Sequence, residues 1–454
     1  MRSPRGQVAA IHREFFWGIV YDGRLQIGSK LTGSAELGAA FGGAAMEKSE
    51  FYRDAYKGFP GPLTGVRVLE ATTAWAGPMC GCILGDFGAD VIKVELPGGE
   101  VVRRIPPFLP GGKGRTSVFQ ATVNRNKRSL TLDLRQSEGR DLFGRLAQAC
   151  DIVIENFLPG TMEGWGLGYE ALRQLKPELI YVSISGYGQF GPDSDQAGYD
   201  PLAQAAGGFL SLNGAADGLP VKAPTFLGDD LGGLHAALGA LAALHHRDQT
   251  GEGQHVDVAL LDAMLFQSNG QLTLGALGAR VRRFGNEFSF AAPSNVYECR
   301  DGAVYLGALL EEHWQAVTRA MGRPELAEDA RFATAAGRID HREEVNRLIS
   351  AWTTERTVAT VLERCRAERV PIAPVRRYEE AASDRHVEAR EMLQTVKQED
   401  GSTAPITGPA VKFSRTPARI RTGAPALGAN TDEILREIGC ASAEIRALRE
   451  RRII

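Results

Sequence analysis

Three aspartates in two glycine-rich segments are the residues of this chain best suited to chemistry. Asp200 lies in the segment AGYDP of residues 197–201, and Asp229 and Asp230 lie in LGDDLGG of residues 227–233. An apolar run from Leu231 to Leu244 predicts a helix, whose first turn would surround both carboxylates with unpaired backbone N–H groups. We expect such a carboxylate to stay ionised and to act as a nucleophile. The alternative is that Asp229 is only an N-cap, a common role for aspartate.

Composition narrows the function classes. The chain has 454 residues, 52 Lys and Arg against 55 Asp and Glu, and a formal charge of −3. No run of basic residues is long enough to contact the phosphate backbone of a nucleic acid, so nucleic acid is not an expected partner. The six cysteines are scattered, which favours a reduced, cytoplasmic protein over a disulfide framework. Cys80 and Cys82 lack a second pair of ligands, so we predict no metal there and expect two buried helix residues.

No membrane segment or leader is predicted. The longest uncharged apolar segment, 263–279, is broken by Gln267, Ser268, Asn269 and Gln271 and falls short of the roughly 20 apolar residues that span a bilayer. The apolar run 15–21 is short and lacks a nearby cleavage signal, so it does not predict a signal peptide. Met46 is an alternative translation start, because a polar helical segment begins there.

Regular alternation of strands and helices begins at Gly65. The predicted strands are 66–70, 90–95, 129–134, 151–155, 179–184 and 255–260, and the predicted helices between them are 77–88, 137–149, 169–175 and 231–244. Short apolar strands alternating with helices are typical of a parallel sheet covered on both faces. The fold class is therefore α/β, with a Rossmann-like large domain.

Four regions are predicted along the chain. Residues 1–60 form an N-terminal extension, 61–280 the large domain, 281–390 a smaller α+β domain with charged helices at 342–352 and 358–367, and 391–454 a segment whose helix 431–438 returns to the large domain. A dinucleotide site is a weaker interpretation of the first strand, helix and strand. The segment AGPMCG of residues 76–81 lacks the glycine fingerprint, and Pro78 removes a backbone donor.

An ordered series of motifs resembles the family III CoA-transferases, the family of formyl-CoA:oxalate and carnitine CoA-transferases. The motifs are PLTGVRVL at 62–69, AGP at 76–78, DFGADVIKVE at 86–95, NKRSL at 126–130, ENFLPG at 155–160, SGYG at 185–188, YDPLAQA at 199–205, LGD at 227–229, residues 250–262 and PALGANTDE at 425–433. The resemblance covers nearly everything from Pro62 to the C-terminus. It implies interlocked dimers, no metal, no tightly bound cofactor, and coenzyme A or acyl-CoA as substrate.

The resemblance also implies a mechanism. The aspartate of the Leu-Gly-Asp motif, here Asp229, is the family's nucleophile, and Asp200 matches an acid that lines the same site. Asp229 would form an acyl-aspartyl anhydride and then an aspartyl-CoA thioester, from which CoA passes to an acceptor acid. Water would destroy the anhydrides, so a loop after Val281 is expected to close the site. The family's glycine-run loop is replaced here by RFGNE at 283–287, which includes Gly285 and Asn286.

Coenzyme A is expected to contact a set of residues that the resemblance identifies: Ala76, Leu132, Arg135, Asn156, Phe157 and Thr161. Leu96 and Gly164 stand where formyl-CoA transferases have arginines, so other cations must contact the phosphates. The candidates are Arg103, Arg104, Lys127 and Arg128, each of which would otherwise be a solvated surface charge.

Two departures bear on the acceptor. Trp75 replaces a glutamine that contacts the small acid, which favours an apolar acceptor pocket; the alternative is ordinary core packing. Tyr199 replaces the histidine that related α-methylacyl-CoA racemases need as a second base, so racemisation is the second choice. Residues 46–54 and 70–78 resemble the benzylsuccinate CoA-transferase branch, with succinyl-CoA as donor and a substituted succinate as acceptor. A further alternative is a CoA-binding subunit of a hetero-oligomeric transferase.

Overall fold

The computed structural model describes residues 46–111 and 115–454. The chain divides into two compact units at Asp54 and Ala55. The described part of the first unit contains helix α1 (Lys48–Phe51), and everything below concerns the second unit, Ala55–Ile454. Residues 1–45 of the predicted extension lie outside the described residues, and a start at Met46 stays a prediction.

A six-stranded parallel sheet forms the centre of this unit. Its strands are β1 (Arg67–Ala71), β2 (Asp90–Glu95), β3 (Lys127–Thr131), β4 (Ile152–Glu155), β5 (Ile180–Ser185) and β6 (His255–Ala259). The strand order is β3-β2-β1-β4-β5-β6, and every neighbouring pair is parallel. The order reverses between β1 and β4, and in such sheets ligands bind beyond the carboxyl ends of the strands at this switch point.

Helices cover both faces of the sheet, so successive strand residues such as Val68 and Leu69 enter two separate cores. The helices of this part are α2 (Ala76–Asp86), α3 (Val118–Val123), α4 (Ser137–Gln148), α5 (Thr161–Gly164), α6 (Tyr169–Leu175), α7 (Asp200–Ala206), α8 (Phe209–Leu212), α9 (Leu227–Thr250), α10 (Leu260–Phe266) and α11 (Gln271–Ala276), with a 3-10 helix at Val101–Arg104. Cys80 and Cys82 are buried in α2, as expected.

Helix α9 differs from its prediction in a way that matters for the site. It extends over Leu227–Thr250, so Asp229 and Asp230 lie inside its first turn rather than ahead of it. The residue at the N-cap position is Phe226, so the interpretation of Asp229 as an N-cap is wrong. Glycines hid the true start because they lower helix propensity. One of them, Gly233, is required by packing, since a Cβ there would lie 2.7 Å from the carbonyl oxygen of Ala76.

A second sheet is antiparallel and has its own core. It contains β7 (Ser294–Cys299), β8 (Gly302–Gly307) and β9 (Ile372–Pro374). Helices α12 (Glu311–Met321), α13 (Ala335–Asp340), α14 (Arg342–Thr353) and α15 (Val358–Ala367) accompany it, with a 3-10 helix at Pro324–Ala327. The α/β fold class with a smaller antiparallel part is confirmed, whereas the domain boundaries at 281 and 390 stay predictions.

The C-terminal segment covers the free edge of the parallel sheet. Helices α16 (Tyr378–Ala382) and α17 (Arg385–Ala389) precede it, and its own elements are β10 (Leu393–Lys397), β11 (Thr403–Thr407), α18 (Thr431–Glu437) and α19 (Ser442–Glu450). The backbone N–H of Thr131 donates to Thr431 Oγ1 at 3.1 Å, and that of Asp133 donates to the carbonyl of Ile453 at 2.8 Å. An edge strand is thereby protected from pairing with other chains. No helix of the described residues has the length and apolarity needed to cross a membrane.

A buried network of charges lies beneath the carboxyl end of β1. Glu70, with no exposed side-chain surface, pairs with Lys127 at 2.7 Å and with Lys93 at 3.0 Å, and Lys93 pairs with Glu100 at 2.9 Å. Burial alone would raise the pKa of Glu70, but the two lysines outweigh burial and hold the pKa below its usual value. The network therefore carries fixed charges and links β1, β2 and β3.

We predict that Lys127→Met destabilises the protein by about 3–5 kcal/mol, because the substitution leaves a buried carboxylate with too little positive charge around it. The matched control is Arg128→Met on the same strand, whose pairs with Asp90 and Glu437 are partly exposed and should contribute about 1 kcal/mol or less. Urea denaturation of both variants measures the difference. Equal losses of stability in the two variants would contradict the assignment.

Candidate active site

A cavity of about 240 Å³ lies at the switch point of the parallel sheet. The segments that follow β1, β4 and β5 meet there with the first turn of α9. The described lining residues are Thr73, Ala74, Trp75, Ala76, Asn156, Phe157, Leu158, Ile184, Ser185, Gly186, Ala197, Gly198, Tyr199, Asp229 and Leu260. Among them, Asp229 is the one carboxylate and no residue is a lysine, arginine or histidine.

Asp229 is half-buried. Its carboxylate accepts no hydrogen bond from the described part of the chain. Burial, reinforced by the negative charges of Asp200 and Asp230, raises the pKa of Asp229 to about 7. The sequence-based expectation of a fully ionised carboxylate is therefore wrong, because the cost of burial exceeds the effect of the helix N-terminus.

Asp200 is buried behind the end of α9 and does not line the cavity. Its Oδ1 atom accepts a hydrogen bond from the backbone N–H of Gly228 at 2.7 Å, and Gln204 Nε2 donates to both carboxylate oxygens at 2.9 Å. Asp200 thus satisfies one of the unpaired donors at the start of α9, a task that Phe226 cannot perform. The structure places this predicted site residue where it positions the helix that carries Asp229.

Trp75 lines the cavity and is held from three sides. Its indole Nε1–H donates to Asp230 Oδ1 at 2.6 Å, and its ring makes edge contacts with Phe119 and Phe226 at centroid distances of 5.8 and 5.2 Å. Burial raises the pKa of Asp230, while the hydrogen bond from Trp75 opposes that rise. Trp75 therefore contributes both to packing and to the cavity wall, and the sequence analysis missed its three partners.

Two polar side chains fix the backbone next to Trp75. Asn156 accepts from the N–H of Thr73 at 2.8 Å and donates to the carbonyl of Thr73 at 2.9 Å. Glu100 accepts from the N–H of Ala74 at 2.8 Å. Ala74 has a φ of 63°, a conformation that non-glycine residues rarely adopt and that persists where surrounding contacts impose it. The buried charge network reaches the cavity through Glu100.

A smaller apolar cavity of about 140 Å³ continues from the first and shares Thr73 and Phe157 with it. The ring of Phe157 packs edge-on against Trp165, with centroids 5.4 Å apart. The described residues that line this second cavity are Ala71, Thr72, Thr73, Val94, Glu95, Leu96, Gly99, Glu100, Leu132, Leu134, Arg135, Phe157 and Trp165. Of the predicted coenzyme contacts, the two cavities together bring in Ala76, Leu132, Arg135, Asn156 and Phe157.

An open cavity of about 490 Å³ follows and shares Leu96, Gly99 and Arg135 with the second. Arg104, Arg135 and Arg452 line it. Arg135 is paired with Asp133 at 2.8 Å, and this hydrogen bond lowers the pKa of Asp133 to about 2. Sequence reasoning missed Arg452, because no local motif marks it and it reaches the site only through the fold of the C-terminal segment.

Four basic residues were predicted to contact the phosphates of CoA, and three of them pair with carboxylates of the protein instead. Arg103 binds Glu95 at 2.6 Å, and Lys127 belongs to the buried network. Arg128 pairs with Asp90 and Glu437 at 2.6 Å. Each was expected to contact phosphate or to be solvated; instead each neutralises a carboxylate of the fold.

Three other predicted site residues do not line these cavities. Thr161 begins helix α5. Gly285 and Asn286 belong to a loop that is attached to the smaller sheet, where the neighbouring Glu287 pairs with Arg342 at 2.9 Å and the carbonyl of Asn286 accepts from Tyr305 at 3.4 Å. Within the described residues there is also no group of three or more His, Cys, Asp or Glu side chains placed to hold a metal.

Comparisons with known proteins agree with this arrangement. The profile of CoA-transferase family III matches residues 63–431. The beta subunit of succinyl-CoA–L-malate CoA-transferase from Chloroflexus aurantiacus is 40% identical over 87% of this chain and 98% of that protein, and succinyl-CoA–D-citramalate CoA-transferase from the same organism is 39% identical over 87% and 98%. The crystal structure of a CAIB/BAIF family protein from Brucella suis matches with a TM-score of 0.76 at 34% identity, covering 84% of this chain and 100% of that one. The chain therefore belongs to CoA-transferase family III and is a CoA-transferase.

Proposed function

We propose that this enzyme moves coenzyme A from an acyl-CoA donor, succinyl-CoA in the first instance, to a carboxylic acid through covalent intermediates on Asp229. The observation that carries the proposal is the position of Asp229, a partly protonated carboxylate in the switch-point cavity. The relatives named above as succinyl-CoA-dependent transferases support the choice of donor.

The reaction needs only carboxylates and a thiol. An oxygen of ionised Asp229 attacks the thioester carbonyl, the C–S bond breaks, and CoA leaves as a thiolate from the resulting anhydride. The thiolate then attacks Cγ of Asp229, which releases the donor acid and forms an aspartyl-CoA thioester. The acceptor carboxylate attacks the same carbon, and the thiolate returns to the acceptor's carbonyl. Asp229 is regenerated, and no proton is gained or lost overall.

The three connected cavities suit an extended thioester ligand. We place the thioester beside Asp229, the pantetheine part in the apolar cavity of Leu132 and Phe157, and the phosphates near Arg104, Arg135 and Arg452. Arginines bind phosphate well because their guanidinium group donates two parallel hydrogen bonds. Thr161, Gly285 and Asn286 stay predictions for contacts that form when substrate binds.

We infer the oligomeric state from large apolar side chains on the protein surface. Phe266, Leu272, Leu277 and Phe290 are large apolar side chains exposed by 54 to 78%, the kind of side chain that the core of a protein interface covers. They support the predicted homodimer. A second candidate is a hetero-oligomer, because one relative is named as a beta subunit. A cytoplasmic location stays a prediction that fits six free cysteines.

Racemisation is a weaker candidate. Deprotonation and reprotonation on two faces require a second base, and Tyr199 occupies the position where the racemases have a histidine. The lining of the cavity also supplies no histidine among the described residues.

Asp229→Ala should abolish transfer, with a loss of at least about 10⁴-fold in kcat, because no covalent intermediate can form. Peptide mapping of the wild type, incubated with succinyl-CoA and quenched with hydroxylamine, should show the modification on Asp229. Asp230→Ala is the matched control, and its peptide should still be labelled at Asp229. Unimpaired turnover of Asp229→Ala would refute the mechanism.

Activity should rise with pH through about 7, because the pKa of Asp229 is raised to about 7 and only the ionised form attacks. Stability should respond oppositely. The folded protein retains a proton on Asp229 that the unfolded chain releases near pH 4, so wild type loses stability between about pH 4 and 7. Asp229→Asn lacks this loss. Urea denaturation should show the variant gaining on wild type across that window, and an equal difference at pH 4 and 8 would contradict the raised pKa.

Arg104→Ala and Arg452→Ala should each raise KM for succinyl-CoA about 10-fold, as expected for one lost charge-assisted hydrogen bond. Initial rates with 3′-dephospho-succinyl-CoA separate the subsites. A substitution that removes a contact to the 3′-phosphate alone should leave the KM for this substrate unchanged. Arg449→Ala, on the nearby helix α19 but absent from the cavity lining, is the control. If all three variants have the same KM as wild type, the phosphates of CoA do not bind in this cavity.

A further inference from the structure

The turn that follows β4 forms the wall where the first two cavities meet. Phe157 lines both cavities, and its ring packs edge-on against Trp165. Asn156, the residue before it, binds both the backbone N–H and the backbone carbonyl of Thr73. The position of this turn therefore sets the shape of the passage between the cavities, along which the proposed function places the pantetheine part of the substrate.

Glu155 holds the turn from beneath. Its side chain is 4% exposed and lines neither cavity. Its Oε2 atom accepts a hydrogen bond from the backbone N–H of Phe157 at 2.9 Å. Hydrogen bonds from a backbone N–H to a carboxylate are among the stronger ones in proteins. The bond therefore restricts the direction in which the backbone leaves β4 and the place where the ring of Phe157 lies.

Glu155 lacks the compensating charge that other buried glutamates of this fold have. Glu70 pairs with lysine and Glu95 with arginine. Glu155 forms no ion pair with any residue that the structure describes, and the charges that act on it, those of Glu163 and Asp257, are negative. Burial raises the pKa of Glu155 to about 7. A buried acid without a cation costs stability, and such groups are concentrated at functional sites.

Two side chains from neighbouring strands support Glu155. Ser183 stands opposite it in the register of β4 and β5, and its hydroxyl group favours the ionised form of Glu155. Ser183 Oγ lies 2.9 Å from His255 Nε2 on β6, and the ring of His255 stacks on Tyr169 with centroids 5.2 Å apart. Burial lowers the pKa of His255, so the imidazole is neutral at pH 7. The support is therefore a chain of hydrogen bonds and does not neutralise the carboxylate.

We propose that Glu155 is a positioning residue for acyl-CoA: it fixes the backbone of Phe157, and the turn so fixed shapes the passage for pantetheine. The inference rests on the proposed function, specifically on the thioester reaching Asp229 through this passage. The turn is remote from the reacting atoms, so its contacts stabilise the bound substrate and the transition state equally. Loss of its position should therefore raise KM for succinyl-CoA and leave kcat unchanged.

Two conservative variants separate position from charge. Glu155→Asp keeps the charge but is one methylene shorter, so its carboxylate no longer reaches the N–H of Phe157. Glu155→Gln loses the charge but keeps the length and an acceptor oxygen. Initial rates should show KM for succinyl-CoA raised about 10-fold in Glu155→Asp, as expected for one lost charge-assisted hydrogen bond, and within about 3-fold of wild type in Glu155→Gln. Glu163→Gln removes a nearby exposed charge and is the control, with the KM of wild type.

Ser183→Ala provides a second measurement if Glu155→Asp does not fold. It leaves the bond between Glu155 and Phe157 in place and removes the support behind it, so KM should rise by about 3-fold at unchanged kcat. A role confined to the fold predicts a different pattern, in which kcat and KM both change in step with the free energy of unfolding. That pattern would overturn the inference, as would an unchanged KM in both Glu155→Asp and Ser183→Ala, or equal KM values for Glu155→Gln and Glu155→Asp.

Calorimetric titration with CoA distinguishes the two proposals. Weaker binding of CoA by Glu155→Asp than by Glu155→Gln supports the positioning role even if succinyl-CoA fails to label Asp229, a failure that would overturn the covalent mechanism alone. Equal CoA affinities of the two variants, with Asp229 labelled in wild type, overturn the inference and leave the proposed function standing.

Discussion

The active site depends on a set of charges that never meets water. Glu70, Lys93, Lys127 and Glu100 join three strands of the sheet beneath its switch point. Their desolvation is costly, so removing one partner of a buried pair destabilises the fold by about 3–5 kcal/mol. Helix α2 is fitted to the same network, since a Cβ at Gly81 would come within 1.9 Å of Glu70 Oε2. The glycine there allows the helix to pack directly against a carboxylate.

This network extends outward to the reacting group. Glu100 holds the backbone at Ala74, and Trp75 follows and binds Asp230. From the other side, Asp200 binds the backbone of Gly228. Three aspartates of the same chemical type thus acquire three tasks by environment alone: one caps a helix, one fixes an aromatic wall, and Asp229 is left without a donor and with a raised pKa. Active sites typically assign different roles to identical acidic groups in this way, because the environment of each group sets its pKa.

The sequence predicted correctly those features that depend on interactions between residues close together in the chain. Apolar alternation located the six parallel strands to within a few residues, and α6 matches its prediction residue for residue. The Leu-Gly-Asp motif identified Asp229 as a site residue because the residues directly before it in the sequence carry the resemblance to the family. Lys127 and Arg103 were misjudged, since a charged residue in a short strand or turn looks solvated until its buried partner is known. Arg452 lies more than three hundred residues from Arg135 along the chain, and only the return of the C-terminal segment brings them to one cavity.

In the proposed mechanism, partial burial of Asp229 bears both on its reactivity and on the lifetime of the intermediates that it would form. The low-dielectric surroundings that raise the pKa of Asp229 also make its conjugate base a stronger nucleophile, because a more basic carboxylate is less stabilised before it attacks. In the proposed mechanism, surroundings that limit the access of water would also slow hydrolysis of the anhydride. A more polar cavity would lower the pKa and increase the ionised fraction at neutral pH, yet it would weaken the nucleophile and admit the competing hydrolysis. If Asp229 is the nucleophile as proposed, a half-buried aspartate with a raised pKa is therefore a compromise between the rate of attack and the loss of the anhydride to hydrolysis.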